Sequence, residues 1–430
     1  MRRSKLQRRR PPDISLPPGC RTRPPFAVPE DVPSTSESSA LLSAAAVRAR
    51  CAIVSEMVER DGSRHFRLVP ARLDQTAARV AAVTRRRYPD LAVPYHSRWR
   101  HFSTGGLDRT ALVAPGADKA ETARARIDLA VVSVLLDAGA GSGWHYREAA
   151  TGAVLSRSEG LAVASLRAME KGLFSVDPCN PWRADAEALA RITPEALAAA
   201  FQHAPGNELI GLDGRARLLR RLGEACAQFP HLFGAPARPG RLYDHWVSRG
   251  TELPAPEILC TVLQALAPIW PPRVGPAGIL CGDCGRHRAV SGDGVVPFHK
   301  LSQWLAYSLV EPLQDAGLHV IELDGLTGLA EYRNGGLFLD CGVIEPRDPD
   351  LLQSPLDALS ELVIEWRALT VTLLDRLAVL VRERLGRNAK EFPLACVLEG
   401  GSWAAGREIA YERRADGPPP LTVISDGTLF

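Results

Sequence analysis

The sequence predicts a mainly helical protein with a few short strands. Along the 430 residues, apolar positions recur at helical spacing far more often than they alternate as in a strand. No segment alternates strand and helix as a parallel sheet would require. The chain is 46% hydrophobic and 23% charged, which provides enough apolar material for a sizeable core. We therefore expect residues 38–430 to form a single helical domain.

Residues 1–37 differ in composition from the rest of the chain. They are rich in Arg, Pro and Ser and poor in large apolar residues, so we expect a disordered basic tail. Their basic start leads into prolines rather than an apolar run, unlike a signal peptide. The net charge of the whole chain is only +3, and part of it comes from this tail. The folded body is therefore close to neutral, which argues against a nucleic-acid binder and against general membrane affinity.

Two further features bear on location. The sequence contains no run of about 18 apolar residues, so we expect no membrane span. The nine cysteines are scattered and odd in number, which is typical of reduced thiols rather than of a disulfide framework. These observations predict a cytoplasmic protein.

The predicted elements follow in chain order. Helical periodicity covers residues 38–59, 71–88, 120–138, 157–171, 184–191, 194–203, 213–227 and 355–385. A small hairpin is expected within residues 144–155, where Thr151-Gly152 suits the turn. The segment 355–385 is long and apolar, so we expect it in the core. The final Ser-Asp-Gly-Thr-Leu-Phe is too apolar for a free tail, and we expect it to be docked.

The central stretch, residues 298–340, opens with a helix predicted by an apolar stripe. A second face of this helix carries Lys300, Gln303 and Tyr307, which fall within about 60° of one another. Trp304 flanks that face, so we expect the face to line a cleft. The chain has only five lysines among its 52 basic residues. Because arginine is the usual cation in this chain, Lys300 indicates a need for a compact ammonium whose pKa can be shifted. The alternative is that a lysine stands there by chance.

A shorter helix is predicted later in the same stretch. Thr327 is the expected N-cap, and Gly335 is expected to end the helix. A capping box would need an acid three residues after the cap, but Ala330 stands there, which leaves Glu331 free for other roles. Glu331, Tyr332 and Arg333 precede glycines where backbone can approach a ligand. A surface ion pair is the alternative interpretation of this triplet.

Two other segments carry candidate binding residues. In residues 98–109, small residues stand beside Arg98, His101 and Arg109, a combination that suits an anion pocket for a sugar phosphate. The alternative is a turn with solvated arginines. Glu159 lies at the start of the helix predicted for 157–171. It either interacts with the helix dipole or binds sugar hydroxyls.

Cys281-Gly282-Asp283-Cys284 has the one metal-like spacing in the chain. A structural zinc needs about four ligands, and no second Cys-x-x-Cys or His-x-His accompanies this pair. Motifs for nucleotide loops, dinucleotide binding, serine hydrolases and zincins are also absent from the sequence. We therefore expect neither a metal nor a cofactor.

Several long stretches resemble the uracil catabolism protein 4 family. They are FHKLSQWLAYSLVEPL (298–313), LTGLAEYRNGGLFLD (326–340), RWRHFSTGGLDR (98–109), RSEGLAVASL (157–166), GSWAAGREIA (401–410) and the terminal SDGTLF. This resemblance implies a role in pyrimidine degradation, in a route that opens the uracil ring on a ribosylated intermediate. Ribosylurea, or its phosphate, would then be split into urea and a sugar.

A more distant similarity points to the queuosine-nucleotide glycosylase family. The Lys of that family falls on Lys300, and its Asp-Tyr-Arg falls on Glu331, Tyr332 and Arg333, with Glu in place of Asp. The separation of 31 residues (331 − 300) is also similar. This resemblance implies a fold like that of helical DNA glycosylases, with two helical lobes around a cleft.

Together these observations predict hydrolysis of the N-glycosidic bond of ribosylurea or ribosylurea 5′-phosphate. The predicted catalytic residues are Glu331 and Lys300. The predicted substrate-binding residues are Gln303, Trp304, Tyr332, Arg333, Asp324, Glu159, Arg98, His101 and Arg109. Expected partners are the small ribosylated substrate and other uracil-catabolism enzymes. The alternative is a non-catalytic protein that binds the ring-opened nucleotide and passes it between those enzymes.

Overall fold

The computed structural model describes residues 41–141, 143–270 and 282–424 and confirms the mainly helical fold class. Its helices are α1 (Ala44–Glu59), α2 (Ala71–Arg87), α3 (Trp99–Phe102), α4 (Lys119–Leu135), α5 (Arg157–Glu170), α6 (Ala186–Ala190), α7 (Pro194–Ala200), α8 (Leu212–Gln228), α9 (Pro230–Phe233), α10 (Leu242–Val247), α11 (Ala255–Leu266), α12 (Lys300–Asp315), α13 (Tyr332–Asp340), α14 (Glu361–Leu385), α15 (Leu394–Val397) and α16 (Trp403–Arg413). A π-helical turn, Leu398–Ser402, joins α15 to α16.

The strands form two-stranded pairs. Three pairs are antiparallel: β1 (Phe66–Leu68) with β8 (Ile344–Pro346), β2 (His145–Arg147) with β3 (Val154–Ser156), and β5 (Cys284–Arg286) with β6 (Val295–Pro297). Two are parallel: β4 (Glu252–Pro254) with β7 (His319–Ile321), and β9 (Leu356–Asp357) with β10 (Val423–Ile424). The β2–β3 pair is the predicted hairpin, with Tyr146 opposite Leu155.

Most predicted helices agree with the structure to within a few residues, because the residues that cap each helix lie next to it in the sequence. Asp118 Oδ1 accepts a hydrogen bond from Glu121 N at 2.7 Å and so starts α4. The long helix α14 begins at Glu361 rather than near 355, because Ser360 caps it after the short strand β9. It ends at Gly386, whose φ of 66° favours glycine.

Helix α14 forms a central support for the parts of the chain that carry the candidate site. It packs against α1, α2 and α13, and its residues are buried along most of its 25-residue length. Helix α13 in turn packs against α16, and α12 packs against α4 and α11. The starts of α12 and α13 are thereby held by the same core.

Several predictions lie outside the described residues or are not tested by them. The tail at 1–37, the first residues of the predicted helix at 38–59, Cys281 and the last six residues lie outside the described ranges. The division into two lobes and the likeness to DNA glycosylases stay predictions. No helix within the described ranges is long and apolar enough to cross a bilayer.

Candidate active site

The indole of Trp304, in the first turns of α12, is surrounded by cations and imidazoles from distant parts of the chain. Lys300 Nζ lies 5.8 Å from its ring centroid, and Arg98 Cζ lies 5.6 Å from it. The ring centroids of His101 and His96 lie 5.7 and 6.5 Å away. We call these five residues the Trp304 cluster. The structure thus brings together four residues predicted as site residues and adds His96.

Glu331 is the N-cap of α13, which corrects the predicted cap at Thr327. Its Oε2 accepts a hydrogen bond from Arg333 N at 2.8 Å, and its Oε1 accepts one from Asn334 N at 2.5 Å. A carboxylate at this position satisfies two helix amides and interacts favourably with the helix dipole. The predicted helix end at Gly335 is also wrong. That glycine lies inside α13, where an added Cβ would lie 2.6 Å from the ring of Trp366.

The Glu331 carboxylate is almost completely buried, with 6% of the residue exposed. Burial raises its pKa, and the two amide hydrogen bonds and the charge of Lys300 oppose that rise. Lys300 is therefore close enough to act electrostatically on Glu331. Lys300 is thus one of the charges that act on the predicted catalytic carboxylate.

His96 and Glu399 form a pair that the sequence reasoning missed. His96 Nδ1 lies 2.9 Å from Glu399 Oε2, and both side chains are about nine-tenths buried. Burial alone would raise the pKa of Glu399, but the hydrogen bond to His96 and its charge hold that pKa below the usual range. Glu399 lies in the π-helical turn, a feature that is frequent at functional sites. The segments that resemble the family, 98–109 and 401–410, begin two residues after His96 and Glu399 and so do not include them.

Arg98 and His101 are both brought to the Trp304 cluster, where protein groups hold Arg98. The fully buried Arg98 forms an ion pair with Asp137 at 2.9 Å and donates to Ser133 Oγ at 2.7 Å. Its Nη2 has no hydrogen-bond acceptor among the described residues. Burial, and then the charge of Arg98, lower the pKa of His101 to about 4. His101 is therefore neutral at pH 7 and adds no positive charge. The charge of Glu159 raises the pKa of both side chains and so opposes the effect of burial.

Arg109, by contrast, belongs to a buried structural network. Its Nε and Nη2 donate to the carboxylate of Glu148 at 2.9 and 2.6 Å. Its Nη1 donates to three backbone carbonyls, those of Phe102, Thr104 and Leu107. All three nitrogens are thus engaged within the protein. We therefore remove Arg109 from the predicted phosphate pocket.

This network predicts a loss of stability in acid. Hydrogen bonds from Arg109, followed by those from Thr151 and Arg167, lower the pKa of Glu148 from 4.5 to about 2. A carboxyl whose pKa falls on folding stabilises the protein above its unfolded pKa, and this contribution disappears as the pH falls through the folded value. We expect wild-type stability in urea to fall more between pH 4.5 and 2 than that of Glu148→Gln. Equal pH slopes would contradict this expectation.

The polar face of α12 is buried, and two of its side chains contact the loop before α13. Gln303 and Tyr307 are completely buried. Gln303 Oε1 accepts from Thr327 N at 3.2 Å, and the Tyr307 hydroxyl donates to Thr327 O at 3.0 Å. These side chains therefore hold the loop that leads to Glu331. Gln303 Nε2 has no hydrogen-bond acceptor among the described residues.

Asp324 and Arg333 also contact protein groups. The Asp324 carboxylate accepts from Arg382 Nη2 at 2.6 Å and from Leu394 N at 2.7 Å. Arg333 Nη1 donates to Gly417 O at 2.9 Å, which attaches the C-terminal segment to α13. We therefore leave both out of the substrate contacts. Tyr332 is 37% exposed and remains a candidate contact.

A buried ion pair connects the starts of α12 and α13. Arg367 Nη1 and Nη2 donate to Asp283 Oδ1 and Oδ2 at 2.8 and 2.7 Å. Asp283 Oδ2 also accepts from Lys300 N at 2.9 Å. Arg367 Nε points to Ala330 O at 3.4 Å, one residue before Glu331. One ion pair thus fixes the backbone beside both predicted catalytic residues.

The described ranges contain no group of three or more His, Cys, Asp or Glu side chains that could hold a metal ion. Cys281, half of the predicted Cys-x-x-Cys spacing, lies outside those ranges. Asp283, which stands between the two cysteines, acts as the structural anchor of α12.

Comparisons with known proteins cover nearly the whole chain. The family described as "Protein of unknown function (DUF1688)" matches residues 40–430. Protein urg3 of Schizosaccharomyces pombe is 38% identical over 409 residues, which cover 92% of this chain and 100% of that protein. Uracil catabolism protein 4 of Lachancea kluyveri is 34% identical over 431 residues, which cover 90% of this chain and 98% of that protein. The family match includes every residue of the Trp304 cluster and Glu331.

Proposed function

The chain belongs to the DUF1688 family, and from that premise we propose that it takes part in uracil catabolism. One relative is named for that process, and the resemblance predicted from the sequence motifs is confirmed at 34–38% identity. Within this process we propose an N-glycosyl hydrolase that releases urea from ribosylurea or ribosylurea 5′-phosphate.

The observation that carries this proposal is the environment of Glu331. Cleavage of an N-glycosidic bond passes through an oxocarbenium-like sugar, which a nearby carboxylate stabilises. The Glu331 carboxylate is buried, and two α13 amides fix both of its oxygens. Such a group needs little reorganisation when positive charge develops on the sugar. In this proposal its remaining lone pairs face the sugar or take a proton from water.

Lys300 has two possible roles in this scheme. Its ammonium opposes the rise in the pKa of Glu331 and so favours the ionised carboxylate at neutral pH. Alternatively, its neutral amine attacks the anomeric carbon as the glycosidic C–N bond breaks, and the proton lost by the amine leaves with urea. Water then hydrolyses the ribosyl–lysine bond, which releases the sugar and restores the amine. The neutral imidazole of His101 and the carboxylate of Glu159, which acts electrostatically on it, are further candidates for proton transfer and for contacts with sugar hydroxyls.

The capping role of Glu331 favours a second candidate. Because both carboxylate oxygens already accept amide hydrogen bonds, helix capping alone is a sufficient reason for an acid at this position. The protein would then be a carrier that binds the ring-opened nucleotide without cleaving it.

Turnover separates the two candidates. We expect the purified full-length protein to release urea from ribosylurea or from its 5′-phosphate, measured with time by a urea assay and compared with protein-free samples. Saturable binding of these compounds without urea release would support the carrier. Neither release nor binding would contradict both proposals.

A further inference from the structure

The buried pair of His96 and Glu399 has the arrangement of an imidazole that a carboxylate holds for proton transfer. His96 Nδ1 lies 2.9 Å from Glu399 Oε2, and the two side chains are 12% and 11% exposed. An ionised carboxylate only accepts hydrogen bonds, so Nδ1 carries the hydrogen and Nε2 is the nitrogen left for a reaction. Within the part of the chain that the structure describes, no group hydrogen-bonds to Nε2.

Protein groups fix both members of this pair. Glu399 Oε1 accepts hydrogen bonds from the Tyr88 hydroxyl at 3.2 Å and from Arg87 Nη2 at 3.4 Å. His96 N donates to Ala395 O at 3.1 Å, which attaches the histidine backbone to the helix before the π-helical turn. A carboxylate in this position selects the tautomer and the orientation of an imidazole, and it stabilises the imidazolium ion when that ion forms.

Hydrogen bonds also connect the turn that carries Glu399 to Glu331. Glu331 Oε1 accepts from Asn334 N at 2.5 Å, and Asn334 Oδ1 accepts from Ser402 Oγ at 2.8 Å. Ser402 is the last residue of the π-helical turn, Leu398–Ser402. The turn that orients the imidazole is therefore joined to the start of the helix that Glu331 caps.

Buried donors without acceptors indicate that this region holds a ligand. The ring centroid of Trp304 lies 6.5 Å from that of His96. Trp304 Nε1, Arg98 Nη2 and Asn334 Nδ2 are buried, and none of them has an acceptor within residues 41–141, 143–270 and 282–424. Buried donors are unfavourable when they stay unpaired. A ligand with acceptor oxygens would satisfy them, and the ureido carbonyl and sugar hydroxyls of ribosylurea provide such oxygens.

Cleavage of the proposed substrate needs a proton donor at the departing nitrogen. Urea is a very weak acid, so its nitrogen leaves the sugar at a useful rate only if it gains a proton. Burial lowers the pKa of His101 to about 4, so His101 has no proton to give at pH 7. Histidine is otherwise the side chain whose usual pKa lies closest to neutral pH. Of the two histidines in the Trp304 cluster, His96 is therefore the one suited to this role.

We propose that His96, held by Glu399, is the general acid that protonates the departing urea. This inference rests on the proposed function, in the scheme in which Glu331 takes a proton from water. As the glycosidic C–N bond breaks, its electron pair passes to the urea nitrogen, which takes the proton from His96 Nε2. Water adds to the anomeric carbon and loses a proton to Glu331, and that proton returns to His96 through solvent. Glu399 is a positioning residue, because it acts through His96.

The test compares two leaving groups on the same sugar. Urea needs a proton to depart, whereas 4-nitrophenolate is stable as an anion and departs without one. His96→Gln is expected to lower urea release from the ribosylurea that the wild type cleaves at least about a hundredfold. Release of 4-nitrophenolate from the corresponding 4-nitrophenyl riboside is expected to stay within about threefold of the wild type, because this step does not use the acid. Retained turnover of the aryl riboside also shows that the variant is folded.

Two further variants complete the experiment. Glu399→Gln keeps the size of the side chain but removes its charge. It is expected to lower urea release by less than His96→Gln does, again with 4-nitrophenolate release preserved, whereas a purely structural role would lower both rates alike. His319→Gln is the matched control, since His319 Nδ1 lies 3.4 Å from Glu252 Oε1 in an exposed pair. It is expected to leave both reactions unchanged.

The outcomes separate this inference from the proposed function. A wild type that releases urea, with the same rate in His96→Gln or with equal losses for both leaving groups, would overturn the assignment of His96 and leave the hydrolase in place. A wild type that releases no urea would overturn the proposed function and, with it, the proton donor. A loss confined to urea release in His96→Gln and Glu399→Gln supports both.

Discussion

Glu331→Asn is expected to lower the rate of urea release at least about a hundredfold and to lower the free energy of unfolding by about 1–2 kcal/mol, because one amide of α13 loses its acceptor. Asparagine is as good an N-cap as aspartate, so its side-chain oxygen still accepts an amide of α13. It carries no charge, however, and cannot stabilise an oxocarbenium-like sugar or take a proton from water. The measurements are urea release under saturating substrate and unfolding in urea.

Two companion variants make this result specific. Glu331→Asp keeps both the cap and the charge but withdraws the carboxylate by one methylene, so we expect a rate between those of wild type and Glu331→Asn. Asp118→Asn makes the corresponding cap change at α4, away from the Trp304 cluster, and is expected to leave the rate unchanged. Wild-type turnover in Glu331→Asn would show that Glu331 only caps its helix.

Lys300, Trp304 and Glu331 could be singled out from the sequence as candidate site residues because the signals for them are local. Each lies in a short segment with helical periodicity or a family-like motif, and α12 and α13 form where those segments stand. The error at Thr327 also has a local cause. Ser, Thr, Asp and Asn are the usual caps, and Glu331 takes that position here because its carboxylate reaches both amides.

Residues that depend on tertiary contacts could not be predicted in the same way. Glu399 is 303 residues away from His96 along the chain, and neither carries a recognisable motif. Asp283 was considered only as part of a metal-like spacing, although it pairs with Arg367. Arg109 has the type and neighbours of a phosphate ligand, but its contact with Glu148 exists only in the folded chain. Contacts between residues far apart in the chain therefore determine which polar side chains are already engaged within the protein.

The Asp283–Arg367 ion pair is expected to control both stability and turnover. Both side chains are nearly inaccessible, with exposed fractions of 11% and 1%. Asp283→Asn leaves the Arg367 guanidinium buried without this carboxylate, a change that typically costs about 3–5 kcal/mol of unfolding free energy. Glu56→Gln removes a partner from the exposed Arg60 pair and is expected to cost less than about 1 kcal/mol. Denaturation in urea measures both values.

Replacing both partners distinguishes stabilisation of the fold from positioning of the site. In Asp283→Leu/Arg367→Met no buried charge is left from this pair, and apolar replacements of buried ion pairs are often neutral or stabilising. We therefore expect the double variant to recover much of the stability lost in Asp283→Asn. Turnover should stay low, because the contacts to Lys300 N and Ala330 O are both lost. Recovery of wild-type kcat together with stability would show that the pair supports the fold alone and does not orient Lys300 and Glu331.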